Sequence, residues 1–201
     1  MALLKKLMDL HERRLIKMIY FTSDTHFCHN KPFLYEPRGF KSIEEHDKTI
    51  VANWNSIVKS EDEVYLLGDV MLIDNEKGIK YLKSLNGKIH LILGNHCTDT
   101  RVELYKTCPN IVSIDYAKEI KIGKNYFWLC HYPTITANYD DDKPWAKHLI
   151  NIYGHTHQQN KFYNDNPYMY CVCLDAHDNY PVSLEQIVED VQNKKIEMER
   201  R

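Results

Sequence analysis

The sequence predicts an α/β protein in which two mixed sheets pack face to face with helices outside. Short apolar runs alternate with helical periodicities in the first half of the chain, which indicates a parallel sheet covered by helices. From residue 111 onward the pattern changes to hairpin-like pairs of short strands, which favours a second sheet rich in antiparallel pairing. The length of 201 residues and the hydrophobic content of 43% are sufficient for one domain with a substantial core.

Residues 1–17 predict an amphipathic N-terminal helical extension, and residues 18–201 the domain itself. Leucines at positions 3, 4, 7, 10 and 15 recur at roughly helical spacing. The segment is too short and too charged to cross a membrane, and its charges are mixed in sign. We therefore expect it to pack on the domain or on a partner, with no membrane attachment.

The elements of the domain can be placed in order along the chain. Capping-box spacing at Ser42–Glu45 and at Ser183–Gln186 predicts the starts of two helices. Between them the sequence predicts a helix over Asp74–Leu85, closed by Asn86-Gly87. The predicted strands are Met18–Ser23, Val64–Leu67, Lys88–Leu93, Tyr126–Cys130 and Asn151–Tyr153. The predicted hairpins join 120–122 to 126–129 and 162–163 to 168–174.

All five predicted strands end in side chains that bind metals. Because ligand sites in open α/β sheets lie at the carboxyl ends of strands, we expect these side chains to meet. Gly68 lets the chain turn sharply out of its strand, and the two oxygens of Asp69 could bridge two cations. The metal-ligand types at the five junctions are Asp24 and His26, Asp69, Asn95 and His96, His131, and His155 and His157.

Taken in this order, these motifs resemble the calcineurin-like metallophosphoesterase family over about residues 18–182. More narrowly, residues 22–27 and 130–133 resemble small bacterial and phage members that lack a large cap domain. The resemblance implies a four-layer α/β/β/α sandwich, in agreement with the pattern of elements. It also implies hydrolysis of phosphoric esters.

The resemblance further implies two divalent transition-metal ions, with Mn favoured and Fe, Zn or Ni as alternatives. Such ions lie about 3.5–4 Å apart and make hydroxide available at neutral pH for in-line attack on phosphorus. His96 matches the family's acid, which protonates the leaving oxygen. The implied ligands are Asp24, His26, Asp69 and His157 for one ion, and Asp69, Asn95, His131 and His155 for the other.

The substrate is expected to be a small phosphoester or a nucleotide. The loop of residues 27–41 passes over the first ligands, so His29, Asn30 and Arg38 are candidates to contact substrate phosphate. The net charge of −2 argues against broad electrostatic capture of nucleic acid. An acidic run at 140–142 and the lack of an arginine cluster favour a phosphodiester over a monoester.

Two features leave alternatives open. The family usually has an acidic residue after Gly-Asn-His, where this chain has Cys97, so the orientation of His96 is in doubt. A binding module that keeps the fold without turnover is the alternative function, although every ligand of the family pattern is present. The pair Cys171-x-Cys173 with His177 could form a structural zinc site, but core packing is favoured.

Cysteine usage bears on location. Six cysteines occur without the pattern of a disulfide framework, and no signal peptide precedes them. We therefore expect reduced thiols and a cytoplasmic location. Histidines outside the motifs are interpreted as structural: His11, His46, His90, His148 and His177.

Overall fold

A computed structural model of the chain describes residues 17–136 and 149–200. The predicted N-terminal helix, apart from residue 17, and the acidic run at 140–142 lie outside these residues. The strands are β1 (Ile19–Thr22), β2 (Glu63–Leu67), β3 (Lys88–Ile92), β4 (Ile111–Asp115), β5 (Ala117–Ile122), β6 (Asn125–Cys130), β7 (Ile150–Tyr153), β8 (Met169–Cys171) and β9 (Val182–Ser183). The helices are α1 (Pro32–Tyr35), α2 (Ile43–Ile57), α3 (Asn75–Lys83), α4 (Asp99–Tyr105) and α5 (Leu184–Glu199).

The first sheet has the strand order β4-β3-β2-β1-β9. Strands β1 to β4 are parallel, as the alternation of strands and helices predicts, and β9 joins β1 in the antiparallel sense. One face of this sheet is covered by α2, α3 and α4, whose Trp54, Leu82 and Tyr105 are fully buried in a common core with Leu66 and Leu91. Both predicted helix starts are confirmed, since Ser42 and Ser183 accept bonds from the backbone three residues on.

The second sheet has the order β5-β6-β7-β8 and confirms only one of the two predicted hairpins. Strands β5 and β6 form the expected hairpin, but β7 and β8 are parallel to β6 and to each other. The hairpin predicted between 162–163 and 168–174 is present only as a single antiparallel bridge between Phe162 and Tyr170. Asn164 and Asp165 adopt φ angles of 48° and 61° in a 3-10 turn, which directs the chain away before a ladder can form.

A second hydrophobic core lies between the two sheets. Phe21 and Leu67 of the first sheet pack in it with Phe127 and Ile152 of the second, and α5 contributes Ile187. The predicted α/β architecture, two mixed sheets with helices, is therefore confirmed. Among the described helices, none is both long enough and apolar enough to span a membrane.

Candidate metal centre

The carboxyl ends of β1, β2, β3, β6 and β7 meet at one edge of the sandwich and bring the predicted ligands together. Within the first sheet, the Asp24 N–H donates to the Gly68 carbonyl (3.1 Å) and the His26 N–H to the Asp69 carbonyl (2.9 Å). Between the sheets, His131 Nδ1 bonds the Leu67 carbonyl (2.8 Å). The sequence prediction that these strand ends form one site is consistent with this placement.

Most of the predicted ligands lie in an unusual backbone conformation. Positive φ angles are sparsely populated by residues other than glycine and cost about 1–3 kcal/mol each, and they concentrate at functional sites. Here they turn the chain sharply after each strand. The ligands concerned are Asp24 (59°), His26 (47°), Asp69 (50°), His155 (68°) and His157 (49°).

Gly154 permits a very close approach between the two sheets. A Cβ at this position would lie 2.5 Å from Ser23 Oγ and 2.6 Å from Asp24 Oδ2. These distances are shorter than a van der Waals contact, so any larger residue would displace the Asp24 carboxylate. Gly68, which follows β2, likewise permits the close approach of the His131 ring, since a Cβ there would lie 2.6 Å from His131 Nδ1.

Asp24, His26 and His157 form what we call the first ligand group. Their ligand atoms converge, with His26 Nε2 3.1 Å from His157 Nε2 and 3.7 Å from Asp24 Oδ1. The other carboxylate oxygen of Asp24 accepts the His155 N–H (2.9 Å) and the Cys173 thiol (3.2 Å). Asp24 Oδ1 is buried and has no hydrogen-bond partner among the described residues, as expected of an atom that faces a cation.

Asp69, His131 and His155 form the second ligand group. Asp69 Oδ1 accepts the His96 N–H at 2.8 Å, whereas Oδ2 lies 3.4 Å from His131 Nε2. Oδ2 is also 3.9 Å from His26 Nε2 of the first ligand group. Oδ2 of Asp69 therefore faces both ligand groups, whereas Oδ1 is engaged by the backbone.

The hydrogen bonds around His131 show why this group fits a cation. Its Nδ1 donates to the Leu67 carbonyl, so in the neutral ring Nε2 carries a lone pair. That lone pair faces Asn95 Oδ1 at 2.9 Å and Asp69 Oδ2 at 3.4 Å, both of which are acceptors. A proton on Nε2 or a bound metal ion would hold these three atoms together. The donor set of carboxylate, amide and imidazole suits a divalent transition metal.

The same convergence shifts the protonation of two imidazoles. Burial lowers the pKa of His131, but its bond to Asp69 and the charge of Asp24 outweigh burial, and the net pKa is raised. For His157, burial is likewise outweighed by its bond to Asp175 and by Asp24. Metal ions and protons compete for such nitrogens, so metal binding at these positions would release protons.

A buried network supports the first ligand group from behind. The Arg38 side chain is 1% exposed and holds Asp175 with two bonds, at 2.7 and 3.1 Å. The same guanidinium donates to the Asp24 carbonyl (2.9 Å) and to His46 Nε2 (3.0 Å). Since Arg38 can only donate, His46 must accept there and donate through Nδ1 to Asp47. Every one of these contacts lies within the protein.

Asp175 links this network to His157. Its Oδ2 lies 3.1 Å from His157 Nδ1, and the two hydrogens of the nearest Arg38 nitrogen are already used on Asp175 and Asp24. His157 Nδ1 is therefore the donor, which leaves Nε2 free to bind a metal. Burial raises the pKa of Asp175, but the bonds from His157 and Arg38 outweigh it and hold the pKa well below its usual range.

The three predicted substrate-contact residues, His29, Asn30 and Arg38, lie in different surroundings. His29 and His96 line an open pocket of about 560 Å³ in front of the ligands, which we call the site pocket. Asn30 is exposed and is not among the residues that line this pocket. The proposed contact of Arg38 with phosphate is corrected by the structure, because its guanidinium is enclosed behind His157 and bound to Asp175.

His96 lines the site pocket, whereas Cys97 packs against the first core. The His96 imidazole is 42% exposed and lies 4.0 Å from Asp69 Oδ2. The Cys97 sulfur lies 3.3 Å from the Gly94 nitrogen and packs against the first core. Burial raises the pKa of this thiol. Cys97 therefore packs as a core residue, and no hydrogen bond from it to the His96 ring is present in the described part of the chain.

Two residues of the site were not predicted from the sequence: Asp175, which bonds His157, and Cys173, which bonds Asp24. A signal for Asp175 was available, because the apolar run 168–174 ends on it just as the other strands end on ligands. Cys173 carried no such signal, since a thiol within an apolar run predicts core packing. In the structure Cys171 and Cys173 are indeed buried in a small cluster with Tyr153 and Met169.

The protein has two mixed sheets, and candidate metal ligands cluster where their strands end. This combination defines an α/β protein with a metal-binding site at its strand ends. The chain belongs to the calcineurin-like phosphoesterase superfamily: residues 16–173 match its domain. The predicted family is therefore confirmed.

Relatives occur in archaea, phages and bacteria. An uncharacterized protein of Methanocaldococcus jannaschii is 33% identical over 189 residues, which cover 90% of this chain and 95% of that protein. The Gene 66 protein of Mycobacterium phage L5 is 29% identical over 163 residues, 69% of this chain and 76% of that protein. The crystal structure of a protein of unknown function from Aquifex aeolicus has a TM-score of 0.66 at 26% identity, covering 87% of this chain and 99% of that one.

Proposed function

We propose that the protein is a binuclear metal-dependent phosphoesterase that hydrolyses phosphoric ester bonds with a metal-activated water. The observation that carries the proposal is the position of Asp69 Oδ2, which faces His131 of the second ligand group and His26 of the first. The second support is the convergence of possible ligand atoms in each of the two ligand groups. Two divalent ions, with Mn favoured, would fill these positions, and Asn95 would complete the second set.

The ions, when bound, would supply an acidified water and neutralise charge on the phosphate. The chain's own residues would bind the ions, orient the ligands and donate the proton. Burial lowers the pKa of His26 and His155 and favours their neutral, ligating form, and Asp175 fixes the tautomer of His157 through Nδ1. His96 opens on the site pocket and would donate a proton to the leaving oxygen.

We further propose that phosphodiesters are preferred over monoesters. A dianionic monoester is commonly held by arginine pairs, and Arg38 is bound to Asp175. Among the described residues that line the site pocket, none is lysine or arginine, and Asp69 and Asp175 are present. A diester carries one negative charge at neutral pH, so these carboxylates repel it less than they repel a monoester. His29 lines the pocket and is kept as a contact residue, whereas the contact by Asn30 and the cytoplasmic location stay predictions.

Hydrolysis of a panel of model esters and nucleotides by the metal-stripped protein, reloaded in turn with Mn, Zn, Fe, Ni or Mg, tests the proposal. We expect activity only after reloading, with higher kcat/KM for bis-p-nitrophenyl phosphate than for p-nitrophenyl phosphate. Two bound ions with no turnover on any ester would support the non-catalytic binding module instead.

The role of His96 has its own test. If His96 acts as an acid in the chemical step, His96→Ala should lower kcat about 10²–10⁴-fold on diesters with poor leaving groups. The loss should be much smaller for nitrophenyl esters, whose leaving groups need little protonation, and the metal content should be unchanged. Equal losses on both kinds of ester would indicate a positioning role.

A further inference from the structure

The site pocket has two unlike walls. Metal ligands and His96 form one wall, and Phe33, Leu34 and Pro37 form the other. The apolar wall belongs to α1 and the turn that follows it. Phosphate chemistry uses only the polar wall, so the apolar wall faces the part of the substrate that does not react.

Phe33 is exposed on a turn that is otherwise anchored. Its side chain is 72% exposed, while the adjacent Leu34 and Tyr35 are buried. Backbone bonds from Leu34 to Lys31 (2.9 Å) and from Glu36 to Pro32 (2.9 Å) fix the turn. A phenyl ring left in water gains none of the burial that stabilises its neighbours. The fold therefore does not require an aromatic residue at this position.

Aromatic rings lead from the ligands to Phe33. The His29 ring centroid lies 5.3 Å from that of His26 and 6.5 Å from that of His96. The edge-on contact of His29 with Phe33, at 5.6 Å and 86°, leaves a face of the phenyl ring open to the pocket. Phe33 and the proposed acid His96 thus line the same pocket, on either side of His29.

We propose that Phe33 determines specificity by stacking on a nucleobase of the substrate's leaving group, so that the enzyme prefers nucleoside phosphodiesters. The inference rests on the proposed function and adds the substrate class to it. A base is flat and matches an open phenyl face, and its polar edges stay in water because the pocket is open. An acyl chain would need a long continuous apolar groove, but the described apolar wall consists of three residues.

Two diesters that differ only in the base provide the test: adenosine 5′-(methyl phosphate) and ribose 5-(methyl phosphate). Both release a 5′-hydroxyl, so the chemical step is matched. Loss of a base stack to alanine corresponds to about 5-fold to about 100-fold in binding. We expect the Mn-loaded protein to favour the adenosine ester in kcat/KM by at least about fivefold. Phe33→Ala should bring this ratio close to one, with a much larger loss of kcat/KM on the adenosine ester than on the ribose ester, whereas Phe33→Tyr should keep the ratio.

Tyr116→Ala is the matched control, because Tyr116 is 80% exposed, lies between β4 and β5 and is not among the residues that line the site pocket. It should leave the ratio unchanged. A wild-type ratio near one, or a ratio that survives Phe33→Ala, would overturn the inference.

If no ester of the panel above is hydrolysed, the proposed function fails, and if these two esters are not hydrolysed, binding still decides the inference. Calorimetric titration of the same Mn-loaded proteins with AMP and with ribose 5-phosphate should give at least about fivefold tighter binding of AMP. That difference should disappear in Phe33→Ala. Equal affinities in the wild-type protein would refute the stacking role.

Discussion

Replacing Asp175 by leucine tests how the buried network supports the first ligand group. The change leaves the Arg38 guanidinium, which is 1% exposed, without its carboxylate partner. Breaking a buried ion pair from one side typically costs about 3–5 kcal/mol. For a chain of this size that corresponds to a fall in Tm of roughly 6–20 °C. The metal-free protein should show this fall, because the pair does not involve a metal.

The same substitution should weaken one metal position selectively. His157 Nδ1 would lose its acceptor, and loss of such outer contacts typically costs about 10–100-fold in metal affinity. The second ligand group has its own support, since His131 donates to the Leu67 carbonyl. We therefore expect one tight and one weakened site by calorimetric titration with Mn²⁺.

The double variant Arg38→Met with Asp175→Leu separates stability from metal binding. Replacing both partners of a buried ion pair by apolar residues is often close to neutral, but here the Asp24 carbonyl and His46 would also lose their donor, so only part of the lost Tm should return. The weakened metal site should not recover. Glu103→Gln is the control, because it removes an equally close but exposed ion pair with Lys106 and should change stability by less than about 1 kcal/mol. Equal weakening of both metal sites, or a Tm fall below about 3 °C, would refute this reasoning.

Three further changes have defined outcomes. Gly154→Ala should weaken metal binding at the first ligand group, since its Cβ would displace the carboxylate of Asp24, and titration with Mn²⁺ would detect the loss. Cys97→Asp should lower Tm without raising the rate, because it places a carboxylate in a core; a faster enzyme would show that this position can orient the acid. Asp190→Asn should lower stability at neutral pH by removing the bond to Lys161. Burial raises the pKa of Asp190, but this bond and others outweigh it and lower the pKa, so the carboxylate stabilises the fold above its unfolded pKa of about 3.9. The difference in urea-unfolding free energy between wild type and Asp190→Asn should therefore shrink as pH falls below about 4, and a constant difference would contradict the pairing.

The strand-end ligands could be predicted because each follows directly from a local pattern. An apolar run that ends in aspartate or histidine predicts a strand and places that residue at the strand's carboxyl end. Asp24, Asp69 and His131 are all placed by this rule alone. The residues cluster because parallel strands share one edge.

What the sequence did not predict depends on contacts between distant segments. Arg38 and Asp175 are 137 residues apart, and only the folded chain shows that they pair with each other. An arginine in a loop above a phosphate site therefore suggests substrate binding until its partner is known. The second predicted hairpin failed for a related reason. Its turn residues predict an antiparallel hairpin, but β8 makes only one antiparallel bridge to Phe162 and forms its ladder with β7, in the parallel sense.

The number of metal ions bound per chain tests the central claim most directly. Metal-stripped wild-type protein, saturated with Mn²⁺ at neutral pH under anaerobic conditions, should contain two ions per chain by elemental analysis. Asp69→Asn should weaken both sites together, because Asp69 Oδ2 faces both ligand groups, while His26→Ala should mainly affect one. Saturation of the wild-type protein at a single ion would contradict the binuclear centre.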